Sequence, residues 1–170
     1  TVVLPGAYAA AAVAGKLSAL SPHVSLTNKP LLVDGLEAEF DAAQLTQLVK
    51  ARVLGLERRQ GFRVVKGITT STGSAFAQIT TRRIVDYAKY GVRSSATPYI
   101  GLLNNVRVRG AMHATLNTFL DGMVKDEMLT AYKLEVTATR EDERQGIARV
   151  TLTLQPTFSI DYIRVTMFLE

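Results

Sequence analysis

Apolar and polar residues alternate through three successive runs in residues 132–170, and this pattern limits the possible folds more than any other. Alternation with a period of two is typical of a β-strand that buries one face. It predicts a first strand over residues 132–138 and a second over residues 149–154, with a loop at the polar run 140–146. Pro156 ends the second strand, because proline has no backbone N–H to donate to a ladder. We expect these two strands to pair as a hairpin.

The third alternating run, residues 159–169, closes the chain and predicts a strand with two usable faces. The apolar face comprises Ile163, Val165, Met167 and Leu169, and the opposite face Tyr162, Arg164, Thr166 and Phe168. A terminal strand can add to a sheet of its own subunit or to a sheet of a neighbouring copy. Nothing in the sequence fixes the partner, so both pairings remain open.

The composition is that of a globular protein with a packed core, since 47% of the 170 residues are hydrophobic. The length predicts a single domain over residues 1–170, and the opening Thr1 favours a fragment of a longer protein or a processed form. The chain has no cysteine, which excludes disulfides and thiolate metal sites. The alanine-rich run 7–14 is too short to span a membrane, because a spanning helix needs about 20 apolar residues.

The charge favours acidic partners, since the net charge is +5 and the pI about 9.6. A dedicated nucleic-acid binder more often combines clustered lysines and arginines with stacking aromatic residues. Here the basic residues are scattered and aromatic residues make up only 7% of the chain. A basic nucleic-acid-binding module therefore remains an alternative function that depends on charge alone.

Helical periodicity and capping residues predict four helices, over residues 6–20, 42–50, 82–94 and 105–125. Asp41 is the expected N-cap of the second helix, and Thr80 or Thr81 that of the third. A strand pair, residues 53–57 and 62–69, lies between these two helices. This order, with the final run of strands, predicts an α+β fold with a small mixed β-sheet flanked by helices.

The fourth predicted helix has two distinct faces at 100° per residue. The face expected to lie on the sheet comprises Val108, Met112, Leu116, Phe119 and Met123. The opposite face comprises Arg107, Gly110, Ala111, Ala114, Thr118, Asp121 and Lys125. A back face that is small and sparsely charged indicates either a second body approaching closely or an ordinary exposed face with a few alanines, and the sequence leaves both open.

No catalytic or metal-binding pattern emerges from the sequence. His23 and His113 lack carboxylate partners at ligand spacing, and we interpret both as structural or surface residues. Leu17 stands where a phosphate-binding loop needs serine or threonine. The acidic cluster 141–143 is interleaved with arginines, which predicts a solvated hairpin tip. We therefore expect no enzyme activity and no cofactor.

Several ordered runs give the chain a resemblance to a known family. They are residues 14–17 within the alanine-rich helix, Thr27-Asn28-Lys29, residues 62–70, residues 81–87, Pro98-Tyr99-Ile100-Gly101, the hairpin and residues 158–166. Taken in this order, they resemble the C-terminal part of the contractile tail sheath proteins of bacteriophages and contractile injection systems. The specificity lies in the ordered set, which covers most of the chain, rather than in any single run.

The resemblance implies a structural role. In this family an α+β domain lies next to an inner tube, its sheet is completed by strands exchanged between subunits, and the helical polymer contracts to drive the tube through a target envelope. The implied partners are further copies of the subunit, the inner tail tube protein, the baseplate and the tail terminator, with neither membrane nor nucleic acid among them. The implied location is a virion tail assembled in the host cytoplasm, or a cytoplasmic or released contractile particle.

The resemblance also suggests two sets of site residues. The expected inter-subunit strand contains Ile160, Tyr162, Ile163, Val165, Met167 and Leu169. Burying its four-residue apolar face would contribute at most about 6 to 12 kcal/mol, at about 1.5–3 kcal/mol per side chain. The expected tube contacts are Arg107, Arg109, Ala114 and Lys125. Exposed ion pairs contribute only about 0–1 kcal/mol each, which suits a contact that must break on contraction.

Overall fold

The computed structural model describes residues 3–168 and places helices and small sheets in the expected order. The helices in that range are α1 (Gly6–Ser18), α2 (Ala42–Lys50), α3 (Ile79–Ala96), α4 (Val106–Lys125) and α5 (Arg140–Arg144). The strands are β1 (Pro30–Leu31), β2 (Leu56–Arg58), β3 (Phe62–Val64), β4 (Leu129–Thr137) and β5 (Arg149–Pro156). They form two sheets, β1–β3–β2 and β4–β5, and every pairing in them is antiparallel. The predicted α+β class is therefore confirmed, although the described sheets are antiparallel rather than mixed.

The described chain divides into two compact units. The first unit comprises the residues up to Arg82 together with those from Phe158 onward, and the second is Arg83–Thr157. Helix α3 begins in the first unit and continues in the second. The single domain expected from the chain length stays a prediction.

The first unit is built on the β1–β3–β2 sheet. Gln60 and Gly61 connect β2 to β3 with φ angles of 51° and 91°, the left-handed conformation that suits a tight hairpin turn. Leu26, Leu31 and Val64 form the buried core under the sheet. Partly buried side chains pack against this core, among them Val13, Leu17, Leu20, Leu54 and Ile79. The alanine-rich α1 thus contributes one apolar edge to the unit and leaves its remaining residues exposed or half-buried.

Side-chain caps fix the start of two helices. The Asp41 carboxylate accepts a hydrogen bond from the Gln44 backbone N–H at 2.8 Å, and the Gln44 side chain accepts one from the Asp41 N–H at 2.9 Å. This reciprocal pair is a capping box, and it confirms the predicted cap of α2. Asn105 caps α4 with its side chain alone, accepting from the Val108 N–H at 2.9 Å.

The second unit packs α3 and α4 against the β4–β5 hairpin. Its buried core comprises Ile84, Ala88, Leu120, Met123, Met128 and Leu129. Met112, Leu116 and Met123 lie on the buried face of α4, as predicted, and the same face includes Leu120, which was not among the residues predicted for it. Tyr132, Leu134, Leu152 and Leu154 are partly buried against this core from the hairpin. The predicted pairing of two alternating strands is therefore confirmed.

Two local predictions in this region are wrong. Helix α3 begins at Ile79, so Thr80 and Thr81 are buried residues of its first turn and do not cap it. The expected loop at 140–146 contains the short helix α5, because the Thr139 side chain and Asp142 form a capping box that starts a helical turn.

Candidate assembly surfaces

The terminal segment, residues 157–168, has no regular secondary structure in the single chain. The predicted strand over residues 159–169 is therefore not formed over its described part. A β-strand needs ladder hydrogen bonds to a neighbouring strand, and no described strand pairs with this segment. Ile163, Val165 and Met167 are 82%, 73% and 85% exposed. Ile160 and Tyr162 are also exposed, and Leu169 lies outside the described residues. Side chains this apolar are rarely left in water so close together unless a second surface covers them.

The β4–β5 hairpin presents the second candidate surface. Its register runs from Thr137 opposite Arg149 to Leu129 opposite Pro156, with an irregularity next to Leu129. Among the described residues this sheet contains only two strands, so one edge of each strand carries backbone groups without a ladder partner. Such edges are templates for pairing with another chain.

The hairpin is fastened to α4 through Tyr132. Its hydroxyl lies 2.6 Å from Asp121 Oδ1 and 2.7 Å from Asn117 Oδ1. Burial, together with the neighbouring Asp121 carboxylate, raises the pKa of Tyr132 to about 12. The hydroxyl is therefore protonated at neutral pH and donates a hydrogen bond to α4.

The outer face of α4 is the third candidate surface. Arg107, Ala114 and Lys125 are all exposed, as a tube contact would require. Arg109 is different, because its guanidinium lies 3.0 Å from Glu143 Oε1 and 2.8 Å from Asn104 Oδ1, and its side chain is only 12% exposed. Arg109 is thus bound within its own subunit, and its role as a tube contact stays a prediction.

The acidic cluster at the hairpin tip is a structural element, contrary to the expectation of a solvated loop. Asp142 is 3% exposed. Its carboxylate accepts hydrogen bonds from Arg149 Nη2 at 2.6 Å and Nε at 2.9 Å, and from the Thr139 N–H at 3.0 Å. Hydrogen bonds from Arg149 and then from Thr139 hold the pKa of Asp142 far below its ordinary value. The carboxylate therefore fixes α5 to the start of β5.

Replacing Asp142 with asparagine is expected to lower the melting temperature at pH 7, because Arg149 then loses its paired charge. A carboxyl whose pKa is depressed in the folded state stabilises that state at pH values above its ordinary pKa of 3.8. This stabilisation is lost progressively as the pH falls below 3.8. The difference between wild type and Asp142→Asn should therefore shrink in acid. Thermal unfolding followed from pH 7 to pH 3 measures this, with Glu141→Gln, at a 65% exposed side chain, as the control. A constant difference across that range would contradict the assignment.

Within residues 3–168, no three side chains of the His, Cys, Asp or Glu types are grouped so that they could hold a metal ion. No helix in the same range is long and apolar enough to cross a membrane.

An exposed apolar segment and open sheet edges are features through which one chain can pair with another by strand addition. Residues 71–170 match the family model of the phage tail sheath C-terminal domain. This match covers more than half of the chain, and the chain therefore belongs to the phage tail sheath family. No curated protein sequence matches it.

Solved structures of contractile machines share this fold. A chain in the baseplate of the anti-feeding prophage matches 99% of this chain with a TM-score of 0.89 at 16% identity, over 51% of its own length. A chain in the contracted sheath complex of PVC, an extracellular contractile injection system, matches 88% with a TM-score of 0.78 at 13% identity, over 46% of its length. The sheath tail protein of Desulfitobacterium hafniense matches 92% with a TM-score of 0.67 at 14% identity, over 42%. This chain thus spans about half the length of the proteins that it matches.

Proposed function

We propose that this chain is the tube-proximal part of a contractile sheath subunit. The subunit polymerises helically around an inner tube through its terminal segment, and the polymer contracts to drive the tube through a target envelope. Its partners are further copies of itself, the inner tube protein, the baseplate and the tail terminator, and it acts without a cofactor and without catalysis. It works in a virion tail or in another contractile particle. The family match supports this role, and nothing in residues 3–168 favours the alternative of nucleic-acid binding.

The observation that carries the proposal is the apolar terminal segment without a ladder partner. Covering the side chains of Ile163, Val165 and Met167 would contribute about 5 to 9 kcal/mol per joint before the entropy of ordering is subtracted, at about 1.5–3 kcal/mol each. The unpaired edge of a neighbouring hairpin offers backbone groups that could pair with this segment. Joints of this kind tolerate rotation of the subunits as rigid bodies.

Electron microscopy of the full-length protein that contains this chain tests the proposal. We expect negatively stained material to contain striated tubes. Particles that remain single at every concentration and ionic strength, together with DNA or RNA binding that falls steeply with salt, would contradict it and favour the nucleic-acid alternative.

The exposed face of α4 is the proposed contact with the tube. Arg107→Glu and Lys125→Glu are each expected to weaken tube binding by about 0–1 kcal/mol, as is usual for exposed ion pairs, and more at low salt than at high salt. Ala114→Phe should weaken it further by holding the helix away from the tube. Co-sedimentation of sheath protein with purified tubes measures these effects, and Lys50→Glu, at an exposed position of α2 in the first unit, is the matched control. Equal losses in all four variants would contradict the assignment of this face.

A further inference from the structure

The start of the terminal segment is bound to the first unit by polar contacts, although the rest of the segment is exposed. We name this set the root clasp, and it comprises Thr27, Lys66, Gln78, Thr80, Ser159 and Asp161. Three of the runs that distinguished the sequence, residues 27–29, 62–70 and 158–166, each contribute to it. No periodicity in the sequence indicated that these runs would meet.

Gln78 binds the backbone of Ser159 as a strand neighbour would. Its side-chain Nε2 donates to the Ser159 carbonyl at 3.0 Å, and its Oε1 accepts from the Ser159 N–H at 3.0 Å. The Thr80 and Ser159 hydroxyls lie 3.1 Å apart and share a further hydrogen bond. Both backbone groups of Ser159 are thereby satisfied within its own subunit, so this residue has no need of a ladder partner from a neighbour.

Asp161 supplies the charged part of the clasp. One carboxylate oxygen accepts from the Thr27 hydroxyl at 3.1 Å, and the other accepts from Gln78 Nε2 at 2.9 Å and lies 3.2 Å from the Lys66 ammonium. The Asp161 side chain is only 9% exposed, so its hydrogen bonds to charged and polar donors are shielded from water and salt. The same ammonium lies 4.9 Å from the centre of the Tyr162 ring, within the range of a cation–π contact.

The contacts end abruptly beyond Tyr162. Ser159 and Asp161 are both bound by the clasp, whereas every described residue from Ile163 to Phe168 is exposed. The clasp holds residues 159–162 through three separate pieces of chain: the loop before β1, the loop after β3 and the start of α3. Contacts to three such pieces make the start of the segment part of the folded unit.

We propose that the root clasp is a permanent anchor, so that residues 159–162 stay bound to their own subunit in the assembled sheath and bending between subunits begins at Ile163. This inference rests on the proposed function. Without the clasp, residues 159–162 would add about 13 Å of free chain at about 3.3 Å per residue. Longer free chain lowers the effective concentration of the terminal strand at its neighbour and loosens the spacing of the lattice. Asp161 and Gln78 are therefore positioning residues for the inter-subunit joint.

A reversible disulfide across the clasp tests the anchor. Residues 1–170 contain no cysteine, so Thr80→Cys with Ser159→Cys introduces one pair within them, at positions whose hydroxyls are already 3.1 Å apart. In the full-length protein, we expect the oxidised and the reduced double variant to form striated tubes at the same rate. Tubes from the reduced form alone would show that the clasp opens on assembly and would overturn the anchor. Wild-type protein that forms no tubes would overturn the proposed function and this inference together.

Asp161→Asn provides the second test, because it removes the charge and keeps the size. We expect tube formation to fall about 10- to 100-fold, the equivalent of about 1.4–2.8 kcal/mol, with irregular striations in the tubes that remain. A purely structural residue would lower the melting temperature and leave the tubes regular. Asp126→Asn, at an exposed carboxylate, is the control. Regular tubes from Asp161→Asn at the wild-type rate would overturn the proposal.

Discussion

Removal of residues 163–170 is expected to abolish helical polymers and to leave a compact subunit in solution. The described residues of this stretch are exposed and contribute no buried side chain to either unit, so the folded subunit loses little when they are deleted. The polymer loses the apolar surface that would join one copy to the next. Electron microscopy and analytical ultracentrifugation measure assembly, and the melting temperature reports the integrity of the fold.

Substitutions distinguish the contribution of the apolar face to assembly from the contribution of the segment's length. Replacing Ile163, Val165 and Met167 together by serine keeps the chain length and should abolish tubes as completely as the deletion does. Replacing Arg164 and Thr166 by serine changes the other face and should leave assembly nearly intact, because those side chains carry little apolar area. Tubes of normal striation from the deleted protein would show that the joint lies elsewhere.

Gly91→Ala is expected to destabilise the second unit strongly. Gly91 is buried in α3, and a Cβ atom at this position would overlap the ring of Phe119. That ring also contacts Tyr87, with the two centroids 5.9 Å apart, so moving it aside would disturb this contact. Overpacking of this kind costs about 1–3 kcal/mol, which corresponds to a fall of several degrees in the melting temperature. Thermal and urea unfolding measure the loss.

A control glycine and a compensating substitution test whether overlap with the Phe119 ring causes the loss of stability. Gly110 lies on the exposed face of α4, where an added methyl group would meet no neighbouring side chain within 4 Å, so Gly110→Ala should stabilise the protein by about 0.5–1 kcal/mol. Combining Gly91→Ala with Phe119→Leu opens space for the new methyl group, and the two changes should be less than additive in the free energy of unfolding. Strict additivity would show that Gly91 is required for another reason.

Local rules in the sequence anticipated much of the fold. The two-residue alternation around Leu134 and Leu152 located the hairpin, because one face of an antiparallel pair must be buried while the other meets water. Asp41 located the start of α2, since its carboxylate satisfies an N–H that the first turn leaves unpaired. The apolar arc from Met112 to Met123 located the buried face of α4.

Contacts between distant parts of the chain were not predictable in this way. β1 consists only of Pro30 and Leu31, and such a strand exists because β3 pairs with it rather than because of any pattern of its own. Arg109 was expected to contact the tube, and its ion pair with Glu143, 34 residues along the chain, follows from no helical periodicity. The root clasp joins residue 27 to residue 161, a separation that no periodicity records.

The pairing of Gln78 with both backbone groups of Ser159 also affects the register of any β-ladder that the residues after Ser159 form. Sliding a strand by one position turns all of its side chains to the opposite side. If Ser159 is fixed, the alternation of faces along the segment is set relative to it. Ile163, Val165 and Met167, each an even number of residues away, then lie on the same face as Ser159. Every copy in a filament would then offer its neighbour the same side, and errors of alignment could not accumulate along the filament.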